Sequence, residues 1–204
     1  MTRVLGSLAL AAAIGGGVTG VQAGAFHLAA TGVKAFVANS GLAVTPSQDW
    51  NHLGRRMGRN AESWTMDGLT LNDVTFYGGV AANETLFKER SAKDKPLPRF
   101  NTTMLPPDVE QMFEESYRIA NDTTIFHMDK IEPAKFLGVD GFRFFYTFTA
   151  LDEVARQGVA TAAIRDGKLY MITYEAPTIH YFDKSLGAYD KIVDSAVLGA
   201  KPAN

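Results

Sequence analysis

Three consecutive β-rich runs between Gly138 and Asp183 constrain the fold of this chain more than any other feature. They are G-V-D-G-F-R-F-F-Y-T-F-T-A, R-Q-G-V-A-T-A-A-I and K-L-Y-M-I-T-Y-E-A-P. Asp166-Gly167 separates the second run from the third. A D-G pair between β-rich runs favours a tight hairpin, because Gly adopts positive φ without steric cost. The sequence therefore predicts an antiparallel meander at the centre of a sheet.

The first run of the meander also predicts where the core lies. Successive side chains of a strand point to opposite faces, so one face of this strand is a row of aromatic residues. These are Phe142, Phe144, Tyr146 and Phe148. We interpret the row as core rather than as a platform for a ligand. The next strand, 159–164, is rich in alanine, which allows a helix to approach it closely.

Two helices are predicted from apolar residues at helical spacing. The first begins at Pro106-Pro107-Asp108, where proline is tolerated in the first turn, and ends at Asn121-Asp122. The second is predicted over residues 185–198, followed by Gly199 and Pro202. Residues 178–182 are predicted to form a helical turn or a short aromatic bridge.

The remaining strands are predicted on both sides of the first helix. Residues 62–66 and 71–77 flank the turn pair Asp67-Gly68. A further strand follows Ile125, and Pro133 favours an edge or bent strand there because proline cannot donate to a central ladder. The order of elements predicts an α+β fold, a largely antiparallel β-sheet flanked by helices.

Length and composition limit the classes of protein that this chain can represent. It has 204 residues, a net charge of -2 and no cysteine. The net charge gives no case for a nucleic-acid partner. The absence of cysteine excludes disulfides, thiol catalysis, Cys-ligated zinc and iron–sulfur clusters. We expect no cofactor.

The N-terminus has the pattern of an export signal. Arg3 precedes a short apolar run, and small residues end it at Val21-Gln22-Ala23. This predicts a signal peptide over residues 1–23, cut after Ala23 or after Ala25, and a periplasmic or secreted protein. The alternative is a retained inner-membrane anchor, the only case in which we expect membrane association. We further expect a flexible lead-in over 24–43, which can form a strand near Val33–Val37 or Gly41–Val44, then one domain over 44–199 and a tail over 200–204.

The second half of the chain resembles the Mog1/PsbP-like family of α/β/α sandwiches. The resemblance lies in G-V-D-G-F-R-F-F-Y, R-Q-G-V-A-T-A-A-I, D-G-K-L-Y-M-I-T-Y-E-A-P and the closing Y-D-K-I-V-D-S-A-V-L. It covers residues 105–198, and 44–104 more loosely. It implies a sandwich fold and a binding or accessory role without catalysis. These motifs are structural, so the resemblance supplies no set of catalytic residues.

Two basic segments are the candidate binding residues. The turn 54–60 contains Arg55, Arg56 and Arg59, and three arginines in five residues can bind a phosphate or an acidic partner. The alternative for this turn is a solvated loop between strands. The long loop 82–104 contains Lys93, Lys95 and Arg99. A loop of this length is often either functional or disordered.

No catalytic or metal-binding motif is present. The four histidines form no H-E-x-x-H pair, and no G-x-S-x-G elbow occurs. His127 and Asp129 form an i, i+2 pair for which a strand histidine is the simpler interpretation than a metal ligand. We expect His180 to bond a backbone carbonyl. The acidic residues cannot be brought together from the sequence alone.

Two hypotheses for function follow. The first is a non-catalytic module, periplasmic or secreted, that binds a protein partner in an envelope complex. The second, suggested by the thirteen phenylalanines and seven methionines, is a carrier of a small hydrophobic ligand in a cleft between the sheet and a helix. Neither hypothesis makes the protein an enzyme.

Overall fold

The computed structural model describes residues 26–53 and 58–200. Those residues form strands and helices in this order: β1 (Phe26–Ala29), β2 (Ala35–Phe36), β3 (Leu42–Val44), β4 (Trp50–Leu53), β5 (Ala61–Thr65), β6 (Asp73–Val80), α1 (Pro106–Asn121), β7 (Phe126–Phe136), β8 (Val139–Thr149), β9 (Ala155–Arg165), β10 (Lys168–Pro177), α2 (Tyr181–Asp194) and β11 (Val197–Leu198).

One large antiparallel sheet organises the molecule. Its strand order is β1-β4-β5-β6-β10-β9-β8-β7, and each neighbouring pair is antiparallel. A small sheet, β11-β3-β2, lies apart from it. Helix α1 packs on one face of the large sheet and α2 on the other, so the fold is an α/β/α sandwich with two apolar cores.

Strand periodicity divides the aromatic residues between the two cores. Phe76 belongs to the core under α2, and its neighbour Tyr77 belongs to the core under α1. The aromatic row predicted on β8 lies under α1, where Phe113 is 5.4 Å from Phe144 and 5.1 Å from Tyr146 between ring centroids. The prediction that this row is core is confirmed.

The predicted meander is present as β8, β9 and β10. Asp166 and Gly167 both have positive φ, 52° and 70°, as a tight hairpin turn requires. Helix α1 spans Pro106–Asn121, as predicted, and Asp122 ends it in the left-handed conformation. Strand β7, which contains Pro133, lies at the edge of the sheet.

The second helix differs from its prediction. It covers Tyr181–Asp194 rather than 185–198. It begins earlier because Phe182 stacks on Tyr174, with ring centroids 5.3 Å apart, so the expected aromatic bridge is its first turn. It ends earlier because Val197 and Leu198 pair with Ala43 and Leu42 in the small sheet.

The segment expected as a flexible lead-in contains strands. From residue 26 onwards it forms β1, β2 and the start of β3. Val37 and Leu42 are fully buried in the core under α2, which fixes these short strands against the sheet. Their length of two to four residues explains why no clear periodicity marked them.

Three of the predicted features involve residues that the structure does not describe. The predicted signal peptide, 1–23, and residues 201–204 of the predicted tail lie outside the described residues, as do Arg55 and Arg56. Within residues 26–53 and 58–200, neither helix has the length and apolar composition needed to cross a bilayer.

Candidate functional site

A cavity of about 460 Å³ lies between the C-terminal half of α1 and the large sheet. It opens at the end of the sheet where β6 and β9 begin and β8 and β10 end. We call it the α1 pocket. The polar and aromatic residues that line it include Asp73, Thr75 and Tyr77 of β6, Phe87 and Arg90 of the loop 82–104, Tyr117 of α1, Phe148 of β8, Asp152 of the β8–β9 loop, Arg156 of β9, and Thr173 and Glu175 of β10.

The register of the sheet brings two acidic residues together in this pocket. Asp73 of β6 is the direct cross-strand partner of Glu175 of β10. Glu175 is in turn opposite Gly158 of β9, and Gly158 is opposite Tyr146 of β8. Four adjacent strands thus place these residues in one row across the sheet.

Gly158 leaves the space through which Tyr146 reaches Glu175. A Cβ atom at position 158 would lie 2.1 Å from Cζ of Tyr146. The Tyr146 hydroxyl donates to Oε1 of Glu175 at 2.7 Å, and the Tyr117 hydroxyl donates to Oε2 at 2.9 Å. Each oxygen of the Glu175 carboxylate therefore accepts a hydrogen bond from a tyrosine.

The Asp73 carboxyl is held on its other side by hydroxyl groups. Thr75 Oγ1 donates to Oδ1 of Asp73 at 3.2 Å, and Ser63 Oγ lies 2.6 Å from the same threonine oxygen. Burial, with the nearby Glu175 carboxylate, raises the pKa of Asp73 to about 8. Burial also raises the pKa of Glu175, against the two tyrosine hydrogen bonds, which lower it. Asp73 therefore keeps its proton at pH 7.

Three buried tyrosines surround the acidic pair. Burial and the charge of Glu175 raise the pKa values of Tyr77, Tyr117 and Tyr146 well above the usual value, so their hydroxyls stay protonated. Tyr77 is 2 % exposed and lines the pocket. Its hydroxyl makes no hydrogen bond with any residue that the structure describes, which leaves it available to a ligand.

Arg156 ties two loops of the pocket together. Its Nη1 and Nη2 donate to the two oxygens of Asp152 at 2.8 and 2.7 Å, and Nη2 also donates to the carbonyl of Thr70 at 3.3 Å. Hydrogen bonds from Arg156 lower the pKa of Asp152. This arginine is paired with Asp152, and its charge also lowers the pKa of Glu175, so it offsets the charge of the acidic pair only in part.

Exposed apolar side chains lie in the loops at the same end of the sheet as the pocket, and two of them, Leu69 and Leu151, line it. Ten large hydrophobic residues are exposed in the described part of the chain, and five of them lie in the loops at this end of the sheet. Leu151 and Ile179 are 80 % and 85 % exposed. We call these five residues the apolar rim: Leu69, Ile125, Leu151, Val154 and Ile179.

Four of the basic residues predicted as a binding site, Arg59, Lys93, Lys95 and Arg99, lie in the described part of the chain. Arg59 Nη1 lies 3.5 Å from Glu84, and Arg99 donates to the carbonyl of Asn83 and to Glu89, both at 2.8 Å. Lys95 instead pairs with Asp122, which ends α1, at 2.9 Å. Lys93 is exposed. The contacts of Arg59 and Lys95 hold the loop 82–104 against the domain, and those of Arg99 lie within the loop. Phe87 and Arg90 of this loop line the α1 pocket.

A smaller cavity of about 200 Å³ adjoins the α1 pocket. Lys88, Arg90 and Lys95 line it together with the apolar Leu97 and Ile119. The two cavities share Arg90 and Asp122. The loop 82–104 therefore presents positive charge directly beside an acidic pocket.

The acidic pair was missed from the sequence, although one signal for it was present. Glu175 falls on the same face of β10 as Leu169 and Met171, which belong to the core under α1. A carboxyl group at an inward position of a buried strand is costly unless it has a function or a partner. Its pairing with Asp73 depends on the register between β6 and β10, which the sequence does not reveal.

The histidines form no site. The ring of His180 packs against Tyr181, with ring centroids 5.3 Å apart, and bonds no carbonyl of a described residue. The prediction that His180 bonds a backbone carbonyl is therefore wrong. His180 directly precedes α2 and has a positive φ of 71°. His27 lies on β1 opposite His52, not before the domain. In the described part of the chain, no three His, Asp or Glu side chains are grouped so as to hold a metal ion.

Comparison with known proteins gives similarity at the level of structure alone. No family model and no curated protein matches the chain. The solution structure of cyanobacterial PsbP (CyanoP) from Synechocystis sp. PCC 6803 matches with a TM-score of 0.53 and 12% identity, over 88% of this chain and 96% of that chain. This likeness concerns the fold.

Two further solved structures are more distant. A protein of Bacteroides thetaiotaomicron VPI-5482 has a TM-score of 0.49 and 8% identity, over 84% of this chain and 50% of that chain. LpqN, described as involved in cell envelope biogenesis of Mycobacterium tuberculosis, has a TM-score of 0.35 and 7% identity, over 88% of each chain. The fold of this chain is α+β and Mog1/PsbP-like, as the resemblance in its second half implied.

Proposed function

We propose that this chain is a non-catalytic binding module of the cell envelope, periplasmic or secreted, that docks on a protein partner. The docking surface is the end of the sheet that holds the α1 pocket. The observation that carries the proposal is the coincidence of a 460 Å³ pocket, a partly buried acidic pair and the apolar rim at one end of the molecule.

The apolar rim supports a protein partner. Contiguous exposed apolar surface bordered by polar residues is typical of interaction sites. Leu151 and Ile179 are exposed almost completely. Fully burying a side chain of this size contributes about 1.5–3 kcal/mol, so a partner that covers both gains a substantial part of its affinity there.

The arrangement of the acidic pair supports recognition rather than catalysis. Each oxygen of Glu175 is fixed by a tyrosine donor, and Asp73 keeps its proton at pH 7. Fixed acceptors that line a pocket select a ligand by its hydrogen-bond donors and charge. We assign no catalytic residue and no cofactor.

The basic residues are a second part of the proposed interface. Lys95 lines the smaller cavity beside the α1 pocket, and Lys93 lies exposed in the same loop. We propose that they bind acidic groups of the partner, together with Arg55, Arg56, Arg59 and Arg99.

Export is proposed from the N-terminal pattern. The residues before Gly24 have the charge, apolar run and small residues of a signal peptide. N-terminal sequencing of the mature protein is expected to give a chain that begins at Gly24, or at Phe26. A chain that still begins at the N-terminus in the membrane fraction would instead support the retained anchor.

A second candidate function is the carriage of a small ligand in the α1 pocket. Phe87, Tyr117 and Phe148 line this pocket, which lies between the sheet and a helix. A wholly apolar ligand, however, supplies neither a cation nor a hydrogen-bond donor to Glu175 and Asp73. Native mass spectrometry tests this candidate: a bound small molecule that is lost in Ala120→Trp, a pocket-filling variant, supports it.

Photo-crosslinking tests the docking surface directly. Benzoylphenylalanine is placed at position 151 or 179 in cells that produce the protein, and at position 168 as the control. Lys168 is exposed at the start of β10, at the opposite end of the sheet. We expect the same partner to be cross-linked from 151 and 179 but not from 168. Equal cross-linking from all three positions contradicts the proposal.

A further inference from the structure

We infer that the α1 pocket binds the ammonium group of a lysine side chain of the partner between Asp73 and Glu175. This inference rests on the proposed function, since it assigns a ligand chemistry to the same site. It follows from the charges in the pocket, from the Tyr77 hydroxyl, which bonds no described residue, and from the aromatic walls.

The charges that line the pocket favour a cation. Four acidic residues and two arginines line it: Asp73, Asp122, Asp152 and Glu175, with Arg90 and Arg156. Two of the acids already have basic partners, since Asp152 pairs with Arg156 and Asp122 with Lys95. The acidic pair has hydroxyl donors but forms no ion pair with a described residue; Arg156 acts on Glu175 only through its charge. A ligand with one positive charge supplies it.

The Tyr77 hydroxyl is a further group that a ligand in the pocket can use. The side chain is 2 % exposed, lines the pocket, and forms no hydrogen bond with any described residue. Its ring is buried, whereas the hydroxyl oxygen keeps some accessible surface, so a ligand can reach it. Asp73, Glu175 and Tyr77 supply three acceptors, and an ammonium group has three N–H donors.

The walls of the pocket suit the rest of such a ligand. Tyr77, Phe87, Tyr117 and Phe148 line it. Aromatic faces attract organic cations and pack against methylene groups. A lysine that enters from the apolar rim thus contacts rings along its four-carbon stem and carboxyl groups at its end. A neutral or anionic ligand gains the contacts with the rings but not those with the carboxyl groups.

Binding of a cation is coupled to the proton on Asp73. Glu175 of β10, Tyr77 of β6 and Tyr117 of α1 interact with this carboxyl. The other charged groups that line the pocket are Arg156 with Asp152, and Arg90 with Asp122. Each of these arginines therefore lies beside a carboxylate other than Asp73. A bound ammonium therefore favours the ionised form of Asp73, and its affinity increases with pH up to the pKa of that residue.

The experiment titrates n-butylammonium into the purified protein and follows backbone amide shifts of residues 73, 158 and 175 by NMR. Its controls are n-butanol, which has the same stem without charge, and butyrate. We expect saturable shifts with n-butylammonium alone, and an affinity that rises about tenfold between pH 6 and pH 7. Shifts of equal size and affinity with n-butanol overturn the inference.

Variants assign the binding to the acidic pair. We expect the double variant Asp73→Asn with Glu175→Gln to lower the affinity for n-butylammonium at least tenfold. The control is Asp140→Asn, which removes an exposed carboxyl at the opposite end of the sheet; we expect it to leave this affinity unchanged. If the double variant fails to fold, Tyr77→Phe serves instead, because it removes one acceptor that has no structural partner; we expect a three- to tenfold loss. Unchanged affinity in the folded variants overturns the inference.

A lysine mimic identifies the source of the cation. N-acetyl-lysine methylamide carries the same stem and ammonium group as a lysine in a protein, and we expect it to bind at least as tightly as n-butylammonium. Binding of the free amine without the mimic overturns the assignment to a partner lysine. Cross-linking from 151 and 179 without any amine binding defeats only this inference. Amine binding without cross-linking defeats the proposed function and the assignment to a partner lysine, and leaves the α1 pocket as a site for ammonium groups.

Discussion

The Tyr146 hydroxyl on β8 donates a hydrogen bond to Glu175 on β10 at 2.7 Å, across the position of Gly158 on the strand between them. The contact links two non-adjacent strands on the face under α1. It exists because Gly158 has no side chain to block the tyrosine ring. The acidic pocket is thus built into the packing of the sheet.

Gly158→Ala is expected to lower the free energy of unfolding by about 2–4 kcal/mol, because the new methyl group displaces the Tyr146 ring and breaks its bond to Glu175. Gly187→Ala is the matched control. Gly187 lies exposed on α2, and a Cβ there meets no atom within 4 Å. Gly187→Ala is expected to raise the free energy of unfolding by about 0.5–1 kcal/mol. Urea unfolding measures both; equal effects of the two substitutions contradict the account.

Tyr146→Phe is expected to cost about 1–3 kcal/mol, since it leaves one oxygen of a buried carboxylate without its donor. Tyr170→Phe removes a hydroxyl that makes no hydrogen bond with the described residues, so its effect is expected to stay below about 0.5 kcal/mol. Chemical denaturation at pH 7 compares the two variants. A harmless Tyr146→Phe would show that the contact with Glu175 contributes nothing to stability.

Stability is expected to fall as pH rises from about 5 to 8. The folded protein holds the Asp73 proton up to a pKa of about 8, while the unfolded chain releases it near 3.8. The folded state therefore binds more protons in this range, and its advantage is lost as pH approaches 8. The raised pKa of Glu175 acts in the same direction.

The slope of the unfolding free energy against pH measures how many more protons the folded state binds than the unfolded chain. One proton corresponds to about 1.4 kcal/mol per pH unit. Asp73→Asn is expected to reduce the slope of unfolding free energy against pH by up to this amount, and Asp140→Asn is expected to leave it unchanged. A wild-type slope that Asp73→Asn does not alter would mean that Asp73 is ionised in the folded protein.

Arg99 and Lys93, both in the proposed interface, differ in their contacts within the loop 82–104. Arg99 donates to Asn83 and Glu89, so Arg99→Ala is expected to loosen the loop and increase amide exchange over residues 83–99. Lys93→Glu reverses the charge of an exposed side chain. It is expected to leave amide exchange of the loop unchanged and to lower the affinity for the partner several-fold. Full affinity in Lys93→Glu would remove this residue from the interface.

Much of the architecture was predictable because its signals are local. The D-G pair specified the β9–β10 hairpin, the alternation of Phe142, Phe144 and Tyr146 specified the core face, and the paired prolines specified the start of α1. The limits of α2 were wrong because a distant contact decided them. Val197 and Leu198 leave the helix to pair with β3, a strand more than 150 residues earlier.

The pocket was not predictable for the same physical reason. Asp73 and Glu175 are about one hundred residues apart, and only the register of β6 against β10 makes them neighbours. Tyr117 joins them from a helix, and Gly158 contributes by lacking a side chain. The sequence drew attention to exposed basic residues instead, because runs of charge are visible without knowledge of the fold.

The central claim is that a partner docks on the end of the sheet that holds the α1 pocket. Hydrogen–deuterium exchange tests it most directly, with and without the partner that cross-linking identifies, since exchange reports which end of the sheet the partner covers. The account predicts slower exchange in the loops 66–72, 150–154 and 178–180, and no change in the hairpins at 137–141 and 165–168. Protection confined to those two hairpins would contradict it.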